Sequence, residues 1–444
     1  MSKWPVKTLG EIGQIVAGGT PSTNEPAFWN GKIPWITPAD LSGYREKYIG
    51  HGEKFISEKG LAESSAKLMP AGAVLFSSRA PIGYVAIAQN PVCTNQGFKS
   101  VVPNKEVVDS EYLYHYLKFA KHLADDLASG TTFKEISGKN FAKISVPVPS
   151  ITEQRQVVSK INELFSNIDA GASELKQSAA NLDLYKQSVL NAAIHGKLVP
   201  QDPNDEPAFK LLQRIRSEKE KLIQAGKLRK EKPMPPIDPS EVPFELPKGW
   251  AWVPLAAIAD SRLGKMLDKQ KNKGMAYPYL RNTHVHWFDI NCADLKDILL
   301  EEKEVDDLLL RDGDVLICEG GHGIARTAVW RGEVTPMVFQ KALHRVRPTF
   351  ALDPDFFSFC MYVFFQAGIL QYYFTGAGIP HFTGESLARM YFPLPPIEEQ
   401  LRIVRRVDEV LSLTKYASEI DRMLNSSDHL KQSILKVAFE GSLI

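Results

Sequence analysis

From Ile161 onward an apolar side chain returns at every seventh position, at Ile168, Leu175, Leu182 and Val189, with Leu164 and Phe165 between and only Gly171 to weaken the run. A heptad stripe kept over about four repeats predicts a long helix that packs lengthwise against another. Thr152 is placed to cap it, with Glu153 in the first turn to favour the helix dipole. From Glu153 to Ala193 such a helix extends about 60 Å, long enough to act as a spacer. A second stripe runs through Val410, Leu413, Ala417, Ile420 and Leu424, breaks at the polar Ser426-Ser427-Asp428 and resumes at Ile434 and Ala438. The natural partner of the first helix is the second.

The blocks before these helices follow another pattern. Short apolar runs (Val74 to Phe76, Tyr84 to Ala88, Val315 to Ile317) alternate with Gly, Pro and Asn turns and lead into a helix-like stretch, the pattern of compact α+β domains. Phe356 to Phe374 is an uncharged run of about 19 residues, near the length that crosses a bilayer. Its counterpart Ser110 to Ala128 carries Glu111, Lys118, Lys121, Asp125 and Asp126, so both read as soluble helices, the second more buried. Gln366 and Gln371 also speak against a membrane span.

The chain repeats itself. Pro147-Val148-Pro149-Ser150-Ile151-Thr152-Glu153-Gln154 returns as Pro393-Leu394-Pro395-Pro396-Ile397-Glu398-Glu399-Gln400, at an offset of 393 − 147 = 246. Lys186 to Leu190, leading to Gly196, matches Lys431 to Leu435, leading to Gly441. Upstream, Trp4, Leu9 and Ile12 answer Trp250, Leu255 and Ile258; Pro34-Trp35-Ile36 answers Pro278-Tyr279-Leu280. Between these anchors the halves diverge. The division expected is a domain at 1–150, a helix at 151–199, a basic helix and Pro-rich linker at 200–245, a second domain at 246–396 and a second helix at 397–444.

At 444 residues the chain is long enough for two domains or more, and 44% hydrophobic with 24% charged residues is ordinary for a soluble protein. Cys93, Cys292, Cys318 and Cys360 show no CxxC spacing, which suggests a reducing compartment. Met1 to Pro5 lacks the apolar run of a signal peptide, so cytoplasmic residence is expected. A net charge of +1 removes the easiest argument for nucleic-acid binding. The most basic stretch, Lys210 to Lys232, ends in the turn-rich Pro233 to Pro239 and reads as a solvated connector.

Signals for covalent chemistry mostly fail. There is no GxxxxGK[ST] phosphate loop. Cys318 and His322 flank Glu319, and His284 stands two residues from His286, but neither group has a counterpart in the first half. The loops instead carry side chains of the kind that read base edges, Arg and Lys for guanine, Asn and Gln for adenine. The candidates are Thr20, Ser22, Arg79, Gln96, Lys99 and Lys134 in the first half and Arg281, Asn282, His322, Arg326, Gln340 and Lys341 in the second. Two rival readings stand beside a DNA reader: a duplicated enzyme using the Cys/His or His/His group, and a coiled-coil scaffold that does not bind DNA.

The repeated Pro-x-Pro to Gln motif, the helix ends Gln187 to Leu198 and Gln432 to Leu443, and the segments Gly19 to Ser22, Asn95 to Phe98 and Gly196 to Pro203 resemble the specificity subunit of a Type I restriction-modification system. The resemblance covers essentially the whole chain. It implies two α+β target-recognition domains, each reading one half of a split asymmetric site in double-stranded DNA, separated by two long helices packed as an antiparallel coiled coil with pseudo-twofold symmetry. It further implies a chain that is no enzyme, holds no metal or cofactor and does not enter a membrane. Its partners would be two modification subunits, which bind S-adenosylmethionine and methylate adenine, and restriction subunits.

Overall fold

The computed structural model describes residues 3–130, 134–224, 242–268, 270–376, 378–412 and 417–444, with the side chains of 219, 222, 223, 322, 417–419 and 421 outside the description. The chain divides into two compact units, one of 1–177 with 419–444 and one of 178–418. Each is α+β.

The first unit is built on a five-stranded sheet ordered Gly13–Ala17, Lys99–Pro103, Val74–Ser78, Ile82–Ala88 and Tyr48–Ile49. Val74–Ser78 is buried along its whole length, as the unbroken apolar run requires. A three-stranded sheet (Lys54–Ile56, Trp29–Ile36, Cys93–Thr94) and the pair Val6–Thr8 with Ser145–Pro147 complete it. The helix Ser110–Phe119 packs Tyr112 and Tyr116 inward, and their rings stand 5.3 and 5.0 Å from that of Phe439. Leu435, Ala438 and Phe439 share this core with Val157, Val158 and Ile161, while Lys431 pairs with Asp169 at 2.5 Å and lies over the Phe165 ring. The helices Ile151–Ile194 and Ala417–Phe439 therefore run antiparallel here.

The second unit repeats the plan. Its four-stranded sheet runs Ala259–Leu263, Leu343–Pro348, Val315–Cys318, Thr327–Val329, and Ala251–Pro254 pairs with Tyr391–Leu394. Val189, Leu190, Ala193 and Ile194 share its core with Ile403, Val404, Val407 and Val410 of the helix Ile397–Ser412. Of the heptad positions, Ile161, Val189, Val410 and Ile420 are buried and Ile168, Leu175, Leu182 and Leu424 are half-buried. Leu413 and the side chain of Ala417 lie outside the described residues.

Both copies of the repeated motif end in the same buried clamp. Gln154 donates from Nε2 to the carbonyls of Val107 and Pro149, both at 2.9 Å, and its Oε1 accepts from the Asp109 N–H at 2.8 Å. Gln400 donates to Ala351 and Pro395 at 2.9 and 3.0 Å and accepts from Asp353 N–H at 2.8 Å. Asp109 and Asp353 in turn cap the helices Ser110–Phe119 and Pro354–Gln366, each carboxylate taking two backbone N–H groups. One amide thus joins the start of each long helix to the cap of the helix packed beside it. The neighbouring Glu153 and Glu399 differ. Bonds from the Ser150 hydroxyl and N–H lower Glu153, whereas burial raises Glu399, which accepts from Trp250 Nε1 at 2.9 Å.

Three local expectations are corrected, and the polar break in the second stripe proves to lie inside a continuous helix. The first long helix starts at Ile151, and Ser150 caps it in a reciprocal box with Glu153, leaving Thr152 exposed in the first turn. Ser426 and Ser427 do not break the C-terminal helix: their hydroxyls donate back to Met423 and Leu424 carbonyls at 2.8 Å, a bond a helix accommodates. The apolar run from Phe356 ends its helix at Gln366, because Gly368 at φ +74° turns the chain; no described helix is long and apolar enough to cross a membrane. The basic stretch is not a free connector over its first half. Its helix Ala208–Gln224 buries Ala208, Leu211 and Ile215 in the second unit, and Asp205 anchors it through a two-pronged bond to Arg402 at 2.6 and 3.2 Å. Residues 225–241 lie outside the described residues.

His115 is buried in the first unit, its Nε2 3.1 Å from Asn162 Oδ1, with Lys47, Lys118 and Glu111 as its charged neighbours. Burial, helped by the Lys47 charge, holds the ring down to about 4 from 6.5. A depressed histidine contributes stability that is present above its unfolded value and lost as pH falls through its folded one.

Two outcomes follow from this packing. Gln154→Leu should lower the unfolding free energy by about 2–4 kcal/mol in denaturant titration, since it strands one buried N–H and two carbonyls; an unchanged midpoint would remove the clamp's structural role. Stability should also fall between pH 6.5 and 4, and His115→Gln should flatten that part of the profile.

Candidate nucleic-acid interface

The same hydrogen bonds build the loop end of each sheet. Gly18 N–H donates to Phe98 O and Gly264 N–H to Leu343 O; Asn95 N–H donates to Ile36 O and Gln340 N–H to Leu280 O; Ser78 N–H donates to Gly97 O and Glu319 N–H to Ala342 O. Ser129 and Glu135 exchange two backbone bonds of 3.0 Å, and Thr375 and His381 exchange two of 2.8 Å. The glycines are required by approach. A Cβ on Gly18 would stand 1.8 Å from Asn95 O, and one on Gly264 would stand 2.3 Å from Gln340 O. On this common frame four positions carry different residues: Arg79 against Gly320, Gln96 against Lys341, Lys99 against His344, Glu135 against His381.

In the first unit the frame brings most candidates to one edge. The Thr20 hydroxyl bonds the exposed Gln96 side chain. Lys99 Nζ reaches Ser78 Oγ at 3.4 Å, Gln96 O at 3.3 Å and Glu135 Oε1 at 3.2 Å, while Arg79 Nη1 is 3.3 Å from Glu135 Oε2. Lys134 is exposed beside them. Ser22 stands apart, exposed, its carbonyl taken by Trp29 Nε1.

In the second unit the candidates fall into two groups. Gln340 and Lys341 lie on the turn that pairs with Lys265, Lys341 exposed. Arg281 is tied inward: its Nη2 donates to the Asp294 carbonyl and carboxylate at 2.9 and 3.1 Å and lies 3.0 Å from His284 Nε2. The Asn282 carbonyl faces the Cys318 thiol, and Arg326, half-buried, supplies the carbonyl that accepts from Cys318 N–H. The side chain of His322 lies outside the described residues.

Two residues of these edges escaped the sequence reading, Glu135 and His381. A signal existed, because 381 − 135 = 246, the offset of the repeat, places an acid and a histidine at one equivalent position. The rival chemistry gains no support. Burial pushes the Cys318 thiol up to about 12 against the lowering effect of Arg326, which suppresses the thiolate a nucleophile needs. His284 is buried and His286 exposed, and among the described residues no cluster of three or more His, Cys, Asp or Glu can hold a metal ion.

The family model of the Type I restriction modification DNA specificity domain matches residues 1–178 and 247–422. The Type I restriction enzyme MjaIX specificity subunit of Methanocaldococcus jannaschii is 29% identical over 412 residues, spanning 88% of this chain and 83% of the relative. The EcoKI specificity subunit of Escherichia coli K12 is 23% identical over 405 residues, 87% of this chain and 77% of the relative. A solved chain from a study of type I R-M complex assembly and conformational transition superposes with a TM-score of 0.70 at 18% identity, covering 99% of this chain and 98% of its own. The HsdS subunit from Thermoanaerobacter tengcongensis gives 0.59 at 18% identity, covering 99% and 97%. At such identities the structures establish the fold alone.

Native-state thiol labelling near neutral pH should modify the half-buried Cys292 slowly and leave the buried Cys93, Cys318 and Cys360 untouched. Rapid modification of Cys318, read by mass spectrometry, would revive the enzyme reading.

Proposed function

Since the chain belongs to the Type I restriction-modification DNA specificity family, we propose that its two units each read one half of a split, asymmetric site in double-stranded DNA. DNA sequence recognition within a restriction-modification assembly is the family's role. The observation that carries the finer reading is the common backbone frame with different residues at Arg79/Gly320, Gln96/Lys341, Lys99/His344 and Glu135/His381. An identical frame presents two loop ends in the same way; different side chains let them read different sequences.

The recognition parts are then 1–150 and 246–396, the spacer helices 151–199 and 397–444, and the basic helix and Pro-rich linker 200–245. The Gln154 and Gln400 clamps give two equivalent helix starts, on which two copies of a modification subunit can dock. Those subunits would bind S-adenosylmethionine and methylate adenine, and restriction subunits would join them. This chain itself would catalyse nothing and hold no cofactor, working in the cytoplasm. Its charge of +1 suits a complex in which the partners share the phosphate contacts. The 44-residue helix Ile151–Ile194, about 66 Å at 1.5 Å per residue, would set the gap between half-sites.

Methylome sequencing of a host carrying this chain with its modification partner should reveal a bipartite motif with one fixed gap. Deleting one heptad from both helices should shorten that gap or abolish methylation. Methylation at an unchanged gap would refute the ruler, and the absence of any bipartite motif would refute the function.

A further inference from the structure

We infer that Glu135 is a specificity-determining residue of the first unit: its carboxylate holds Arg79 for a guanine and keeps backbone phosphate away. The inference rests on the DNA-reading function proposed above. Each oxygen of Glu135 takes one cation, Oε2 from Arg79 and Oε1 from Lys99. The backbone of Glu135 is fixed by its two bonds with Ser129, and the next N–H, of Ile136, donates to Ser78 O at 3.1 Å. The carboxylate is therefore a fixed counter-charge rather than a mobile surface acid.

The two cations are not equal. Lys99 has a side chain only 11% exposed and is spent on Ser78, Gln96 and Glu135, so it anchors the carboxylate. Arg79 is 38% exposed, and among the described residues only its Nη1 carries a side-chain bond. Its Nη2 and Nε edge presents the parallel pair of N–H groups that matches O6 and N7 of guanine.

Glu135 also sets what this edge prefers. Arg79, Lys99 and Glu135 sum to one positive charge; without the carboxylate they sum to two. A phosphate oxygen feels that net charge, whereas the neutral guanine edge responds mainly to aligned N–H dipoles. The carboxylate thus weakens the competing anion more than the base. At the equivalent positions the second unit has Gly320 and His381, so the device belongs to the first unit alone and acts on one half-site.

The test uses the complete complex with its modification subunits and DNA carrying the motif found by methylome sequencing. Affinity would be measured for that motif, for single-base replacements of each guanine, and for unrelated DNA over a range of salt. Glu135→Gln should cut discrimination at one guanine by roughly 10- to 100-fold and tighten binding to unrelated DNA with a steeper salt dependence, all within one half-site. Glu135→Asp should restore part of the discrimination. Motif and unrelated DNA weakened alike, or discrimination kept in full, would overturn the inference. A wild-type complex that does not discriminate would instead overturn the proposed function, so the two failures are separable.

Discussion

A single buried amide, present twice, orders each half of this protein. Gln154 and Gln400 each bond three backbone groups that belong to a loop, a Pro-x-Pro exit and a helix cap. No other side chain of similar length donates and accepts in that geometry, and a buried backbone group left without a partner costs about 1–3 kcal/mol. The direction in which each long helix leaves its own sheet domain is set at this point. The Pro residues before it stiffen the approach, and the capped helix beside it supplies the wall.

Around these clamps the molecule keeps its charges engaged. Arg347 is held by the buried Asp314, Arg345 by Asp260, Arg402 by Asp205, and Lys47 by Glu111. The loop edges follow the same habit in Arg79, Lys99 and Glu135. A surface built this way has a weak field at long range and acts mainly at contact, in keeping with a net charge of +1.

Much of this was legible in the sequence, and the reason is physical. The heptad stripe reports helix packing because burial demands it, and the unbroken run at Val74 or Val315 reports a strand covered on both faces. The Pro-x-Pro to Gln repeat was visible as identity but not as a clamp, since two of the three backbone partners of each Gln lie more than 40 residues away. Ser426 and Ser427 interrupt the stripe without breaking the helix because their polarity is spent within it, whereas the basic stretch from Lys210 misled because Ala208, Leu211 and Ile215 are buried despite the charges around them. Glu135 was missed for a related cause: an acid is discounted among candidate DNA contacts, although here it pairs with both candidate cations, Arg79 and Lys99.

The two chain ends lie in the same unit, and this bears on how the protein is made. Leu435, Ala438 and Phe439 complete a core whose other members, from Trp4 to Ile161, leave the ribosome long before them. Domains usually close in the order of synthesis. Here the second unit holds all its parts by residue 418, while the first waits with Tyr112 and Tyr116 uncovered until the final helix arrives. The half that is synthesised first is the last to be sealed, so its exposed aromatic face must survive the translation of everything between.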